Sequence, residues 1–246
     1  MVKYSEYIKM ANKGTTRQNI YTNISHSERR ALLMFKNLIK TVIVPFIRLN
    51  RSGRTFIFRD TAFRYFIHGY NTTWLNERSV EIPVISSFID GHSSILEVGN
   101  VLSHYRKATW DILDKFEEGE GIINADIVDY RPNGQYDLIS SISTLEHVGF
   151  DDDEKDDGKV VKAISNLKEH CLASGGKMVV TLPIGYNKKM DEDLFSGTLF
   201  FNEKYFLKRI SKENTWREVR QQEVVDARYG YPFPGANCIC VGIITK

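Results

Sequence analysis

Residues 93–105 read Ser-Ser-Ile-Leu-Glu-Val-Gly-Asn-Val-Leu-Ser-His-Tyr, a short apolar run that ends in an acid, Glu97, and a glycine, Gly99. A run of this length bounded by turn residues is the pattern of a buried strand. In an open parallel sheet ligands bind beyond the carboxyl ends of the strands, where a glycine lets the backbone approach them closely. A nucleoside cofactor fits that place. Only the first glycine of a G-x-G-x-x-G string is present, so the backbone that seats a dinucleotide's pyrophosphate is missing and a cofactor without phosphate fits better. Further on, Leu145-Glu146-His147-Val148 follows a second buried run and sets a carboxylate beside an imidazole. Imidazole titrates near neutrality, which makes His147 the first candidate for a general base. His104 and Tyr105, directly after the first run, are its rivals. Glu146 and His147 with Asp151 to Asp153 also form a donor set for a hard cation, but acidic runs are ordinarily solvated loops, and no metal is assigned.

Elements that could hold these residues appear in regular order from Ser94 onward, with short apolar runs alternating with polar or helical stretches. The candidate strands are 95–98, 111–113, 121–124, 136–142, 177–182, 216–224 and 238–245. Between the fourth and fifth, residues 160–172 carry apolar side chains at helical spacing, and Gly175-Gly176 is expected to close that helix and turn the chain into the next strand. Upstream, residues 27–50 predict a helix that Pro45 ends. Residues 54–59 alternate with aromatic side chains, the pattern of a short strand or hairpin.

The stretch Ile95-Leu96-Glu97-Val98-Gly99 resembles motif I of class I S-adenosylmethionine-dependent methyltransferases. Residues 136–148, Tyr-Asp-Leu-Ile-Ser-Ser-Ile-Ser-Thr-Leu-Glu-His-Val, are similar to the fourth-strand motif of that family, and Gly175 to Pro183 to its fifth-strand motif. Together they cover residues 94–183 in order. The string Glu97 to Tyr105, with 145–149 and 183–187, is also similar to a bacterial subgroup associated with surface-polysaccharide gene clusters. The resemblance implies an α/β, Rossmann-like, seven-stranded sheet over residues 91–246 that binds S-adenosyl-L-methionine. Residues 1–90 then form a basic, largely helical N-terminal extension that carries acceptor-site elements.

Carried over position by position, Glu97 orients the methionyl amino group and Gly99 with Asn100 lines the methionine end. Asp114 accepts the ribose hydroxyls, with Glu117 as the fallback. Asp126 and Ile127 flank adenine, and Ser143 joins the cofactor pocket. The fifteen positions from Gly99 to Asp114 are fewer than the family usually has and imply a shortened first helix. Acceptor contacts are expected outside the common core, at Tyr70, Asn71 and Arg78, at Tyr186 and Asn187, and in the loop from Tyr229 to Asn237. Their aromatic, amide and guanidinium groups suit a polar, hydroxylated small molecule such as a sugar, sugar nucleotide or phosphorylated intermediate, methylated on oxygen.

Composition narrows the alternatives. In residues 1–60 twelve lysines and arginines face Glu6, Glu28 and Asp60, an excess of nine positive charges that leaves the remainder at about minus seven. Such an arm suits an anionic partner, and weak contact with a membrane surface is one expectation. A nucleic-acid methyltransferase is the alternative enzyme, disfavoured because no Asn-Pro-Pro-Tyr or Asp-Pro-Pro-Tyr string is present to hold a flipped base. A catalytically inactive binding protein of the same fold is the alternative outside enzymes. Three cysteines without C-x-x-C spacing, and no apolar run of membrane-spanning length, predict a cytoplasmic protein.

Overall fold

The computed structural model describes residues 41, 42, 44–51 and 53–246. The chain divides into two units between Leu49 and Asn50. The helix expected over 27–50 and the basic arm fall largely outside the described residues. Helix α1 (Val44–Arg51) is described, and it contains Pro45, which the sequence predicts as a helix stop.

In the second unit, β1 (Thr55–Phe58) and β2 (Thr61–Arg64) pair antiparallel, which realises the hairpin expected from the aromatic alternation. Phe56 and Phe58 point inward while Thr55 and Ile57 are exposed. A 3-10 segment, Tyr70–Leu75, leads into α2 (Arg78–Ile89), an element the sequence reading does not anticipate. Pro83 lies inside α2 and cannot donate to the carbonyl of Ser79. That carbonyl accepts from Phe66 N–H instead, at 2.9 Å, so no buried acceptor is orphaned and the hairpin exit is tied to the helix.

The remaining strands are β3 (Ile95–Val98), β4 (Asp111–Leu113), β5 (Ile122–Ile123), β6 (Tyr136–Ile142), β7 (Leu172–Pro183), β8 (Glu203–Arg209), β9 (Trp216–Val219) and β10 (Cys238–Thr245). They form one sheet of eight strands, ordered β5-β4-β3-β6-β7-β10-β8-β9, where the sequence predicts seven. The first five neighbours run parallel, and β10 is antiparallel to both β7 and β8. The segment 216–224 contributes only the edge strand β9, and the strand beside β10 is the unanticipated β8. Its sequence, Glu-Lys-Tyr-Phe-Leu-Lys-Arg, is charged at both ends, which hides the apolar alternation.

Gly175 and Gly176 lie inside β7 rather than closing a helix. Helix α3 (Lys159–Asn166) runs on through a π turn to Cys171, and β7 begins at the next residue. Pairing with β6 jumps from Tyr136–Leu172 to Leu138–Lys177, so the two glycines form a bulge. A Cβ at Gly176 would lie 2.9 Å from the Ala173 carbonyl and 3.1 Å from that of Asp137.

Two apolar layers flank the sheet. One face, with Leu96, Ile139, Val180 and Cys240, packs against α3 and against α4 (Lys188–Ser196) through Ala163, Leu167, Met190 and Leu194. The other, with Ile95, Leu138, Val179 and Val241, packs against α2 and the hairpin through Val80, Ile85, Phe56 and Phe58. The strand period of two delivers alternate residues to the two layers.

Candidate active site

β3 has β4 on one side and β6 on the other, so the crevice beyond the carboxyl ends of β3 and β6 is the topological switch point of the sheet. Glu97, Gly99, Ser143 and Thr144 all stand there. Gly99 has φ +82, and a Cβ on it would lie 2.6 Å from Thr144 Cγ2 and 2.8 Å from Thr144 Cβ. Only glycine allows this approach. The loop after β3 contains a single 3-10 turn, Leu102–His104, in place of the shortened helix that the spacing implies.

The Glu97 carboxylate is fully engaged. Its Oε1 accepts from Val101 and Leu102 N–H at 2.9 and 2.6 Å, and its Oε2 accepts from Trp110 Nε1 at 2.8 Å. Burial pushes its pKa up, against the lowering effect of those donors. Glu97 therefore fixes the shape of the loop in this structure. Asn100 N–H donates to Asp114 Oδ2 at 3.2 Å, and its side chain accepts from Ser103 Oγ. Asp114 Oδ1 caps the next turn by accepting from Phe116 and Glu117 N–H at 2.9 and 2.8 Å. Glu117 lies 3.5 Å from His104 Nε2.

Asp126 belongs to an ionic group. Lys159 Nζ and Lys115 Nζ reach its Oδ2 at 2.7 and 2.9 Å, and Lys159 also holds Asp152 at 2.6 Å. Burial pushes the Asp126 carboxyl up, but hydrogen bonds from Lys159 and Lys115 outweigh it and hold the pKa at about 2. Ile127 is buried in the core, and its carbonyl accepts from Asn166 Nδ2 at 2.7 Å.

The three loops expected to form the acceptor site converge. Arg78 donates to Glu81 Oε2, and Ser143 Oγ donates to Glu81 Oε1 at 2.5 Å. Glu77 Oε2 accepts from Ala236 N–H at 3.0 Å, which draws in the 229–237 loop. Tyr186 meets Tyr229 edge to face at 5.1 Å and His147 at 4.8 Å. Asn187 is buried as the N-cap of α4, where its Oδ1 accepts from Met190 N–H and its Nδ2 donates to the Glu146 carbonyl, both at 3.0 Å. Tyr70 stacks on His104 at 4.7 Å, and Tyr105 packs edge-on against Tyr70 and hydrogen-bonds Asn71. Burial pushes Tyr105 up to about 12.

His147 stands at the rim. Its Nδ1 lies 2.5 Å from Asp151 Oδ2, which also accepts from Tyr186 OH at 2.7 Å, and its Nε2 lies 3.5 Å from Glu146 Oε1. Asp151 thus orients the ring and points Nε2 at Glu146. Burial, reinforced by Asp151, pushes the Tyr186 hydroxyl up, so it remains a donor. Among the described residues no group of three or more His, Cys, Asp or Glu side chains is arranged to hold a metal. Asp152 is taken by lysines and Asp151 by His147. A polar concavity lined by Ser94, Asp111, Tyr130 and Gln135 lies at the amino ends of the strands, away from the switch point.

Glu77 and Glu81 are the site residues that sequence reasoning missed. Their signal is two carboxylates four residues apart, Glu77 as the N-cap and Glu81 in the first turn of α2, beside the buried Val80, Ile82, Val84, Ile85 and Ile89.

No family model and no curated protein matches the chain. Among solved structures it is similar to the N-methyltransferase NodS from Bradyrhizobium japonicum WM9 bound to S-adenosylhomocysteine, at 14% identity over 63% of this chain and 78% of that one, with a TM-score of 0.39. A TehB-like S-adenosylmethionine-dependent methyltransferase from Corynebacterium glutamicum matches at 14% identity over 68% and 87%, with a TM-score of 0.40. The sugar N-methyltransferase KedS8 from a Streptoalloteichus species matches at 11% over 66% and 84%, with a TM-score of 0.33.

Proposed function

We propose that the chain is an enzyme that binds S-adenosyl-L-methionine at the switch point and transfers its methyl group to a heteroatom of a small polar acceptor. The observation that carries this reading is the meeting at one crevice of the stretches that resemble methyltransferase motifs, with Gly99 packed against Thr144. A 3-10 turn after β3 offers no helix N-terminus for a pyrophosphate, which supports a donor without phosphates over a dinucleotide. Asp114 Oδ2 carries only the long bond from Asn100, so it retains acceptor capacity for ribose hydroxyls.

Methyl transfer is an in-line displacement at a sulfonium, which asks the protein chiefly to align the acceptor and to take its proton. Asp151, His147 and Glu146 form a chain of acceptors from the rim inward, and Tyr186, Tyr229 and Tyr105 line the acceptor side. A sugar or sugar nucleotide of a bacterial polysaccharide pathway, handled in the cytoplasm, remains the setting that the motif resemblance favours. Three buried carboxylates oppose a phosphate at the reacting end itself. Calorimetry with S-adenosylhomocysteine tests the reading: saturable binding is expected, and a folded protein that binds none refutes it.

A further inference from the structure

Glu146 is 2% exposed, and its Oε2 has no hydrogen-bond partner. A buried carboxylate oxygen without a donor carries the full cost of desolvation, so an orphan of this kind marks a place where something else completes the site. Glu77 and Glu81 lie close enough to raise the Glu146 pKa further, after burial as the main cause, while Arg78 opposes them. Arg78 is bound to Glu81, and Glu81 also accepts from Ser143. Three buried carboxylates thus share one guanidinium, and the pocket lacks positive charge rather than negative. The same four charges act on the Tyr229 hydroxyl, whose ring packs edge to face on Tyr186. The carboxylates are not gathered as metal ligands are.

We infer that Glu146, with Glu81 and Glu77 behind it, is a seat for an ammonium group at the methyl-transfer end of the crevice, and that the acceptor is an amine. This rests on the methyl-transfer reading and replaces the hydroxyl acceptor expected from sequence. A primary ammonium supplies the donors that Oε2 lacks, its charge offsets the excess carboxylate, and the rings of Tyr229 and Tyr186 favour a cation. The ammonium gives one proton to the Glu146 carboxylate, which frees the nitrogen lone pair. That pair forms the N–CH3 bond as the S–CH3 bond breaks, and the bonding pair stays on sulfur as a neutral thioether. The positive charge passes from sulfonium to the methylated nitrogen. The proton on Glu146 leaves through His147 Nε2, 3.5 Å away, to solvent at the half-exposed ring.

The test uses three ligands by calorimetry on the full chain. They are S-adenosylhomocysteine, its analogue without the methionyl amino group, and sinefungin, which carries a primary amine where the donor has its methyl. Wild-type protein is expected to bind sinefungin about tenfold or more tighter than S-adenosylhomocysteine, the worth of one charge-assisted hydrogen bond. Glu146→Gln should erase that preference and leave S-adenosylhomocysteine affinity within about twofold, with Glu146→Asp intermediate. Equal loss for sinefungin and S-adenosylhomocysteine, with no loss for the analogue lacking the amino group, overturns the inference by assigning Glu146 to the donor's own amine. A wild-type preference below about twofold overturns it without any variant, so a glutamine form that fails to fold leaves the test intact. Wild-type protein that binds none of the three refutes methyl transfer itself.

Discussion

Replacing Gly99 with alanine tests the central contact of the crevice. At φ +82 a residue with a Cβ pays about 1–2 kcal/mol for the left-handed conformation. The new methyl would also lie 2.6 and 2.8 Å from Thr144 Cγ2 and Cβ, and overpacking of this kind costs about 1–3 kcal/mol. Gly99→Ala should therefore destabilise the protein by about 2–5 kcal/mol, a large share of the stability of an ordinary domain. Thr144→Gly removes the three atoms nearest to the new Cβ, Thr144 Oγ1, Cγ2 and Cβ. The double variant should be less destabilised than the sum of the singles by about 1–3 kcal/mol, with the conformational cost left behind. Urea unfolding of all four proteins, followed by circular dichroism, gives these values. Additivity within about 0.5 kcal/mol would show that Gly99 and Thr144 do not meet. Wild-type stability in Gly99→Ala would refute the positive φ as well.

His147→Ala should keep S-adenosylhomocysteine affinity near wild type and lower turnover by about 10²–10⁴-fold, the range of a positioned proton-transfer group; near-normal turnover in the folded variant would remove His147 from the path by which the Glu146 proton reaches solvent. Asp114→Asn keeps an oxygen to cap Phe116 and Glu117 but loses a charged acceptor, so calorimetry should show S-adenosylhomocysteine binding weakened by about 1.5–3 kcal/mol with little change in melting temperature. Asp126 titrates lower folded than unfolded, so its contribution to stability is fully present above about pH 4 and is lost as pH falls toward about 2. Asp126→Asn should flatten the acid limb of the stability curve in that window, and an unchanged limb would break the assignment of the Lys159 and Lys115 pairing.

Strands β3, β4, β6 and β10 were legible to within a residue, because each is a short, mostly buried run rich in Ile, Leu and Val between turn residues. β8 was not, since charge at its ends masks a buried middle, and α2 carries an internal Pro83 whose freed Ser79 carbonyl is satisfied only by the distant Phe66 N–H. In the crevice, the positions of Glu97 and Gly99 at the end of β3 and of His147 after β6 were legible. Its charge was not, because Glu81 reaches Ser143 across 62 positions and Glu77 meets Ala236 across 159. Long-range encounters of this sort leave no trace in spacing or periodicity.

The place of β10 in the sheet bears on how the chain acquires its structure. β7 and β8 are not neighbours of each other; each is bonded to β10, which follows both in the chain. Until β10 is inserted, the Met178–Leu182 stretch of β7 presents an unpaired apolar edge, while β8 can pair only with β9. Closure of the sheet is thus a late, non-local event, slow in comparison with helix or hairpin formation. An intermediate with that slot open would join edge to edge with a second copy in proportion to concentration, so refolding yield should fall as protein concentration rises, even where the folded chain shows no tendency to associate.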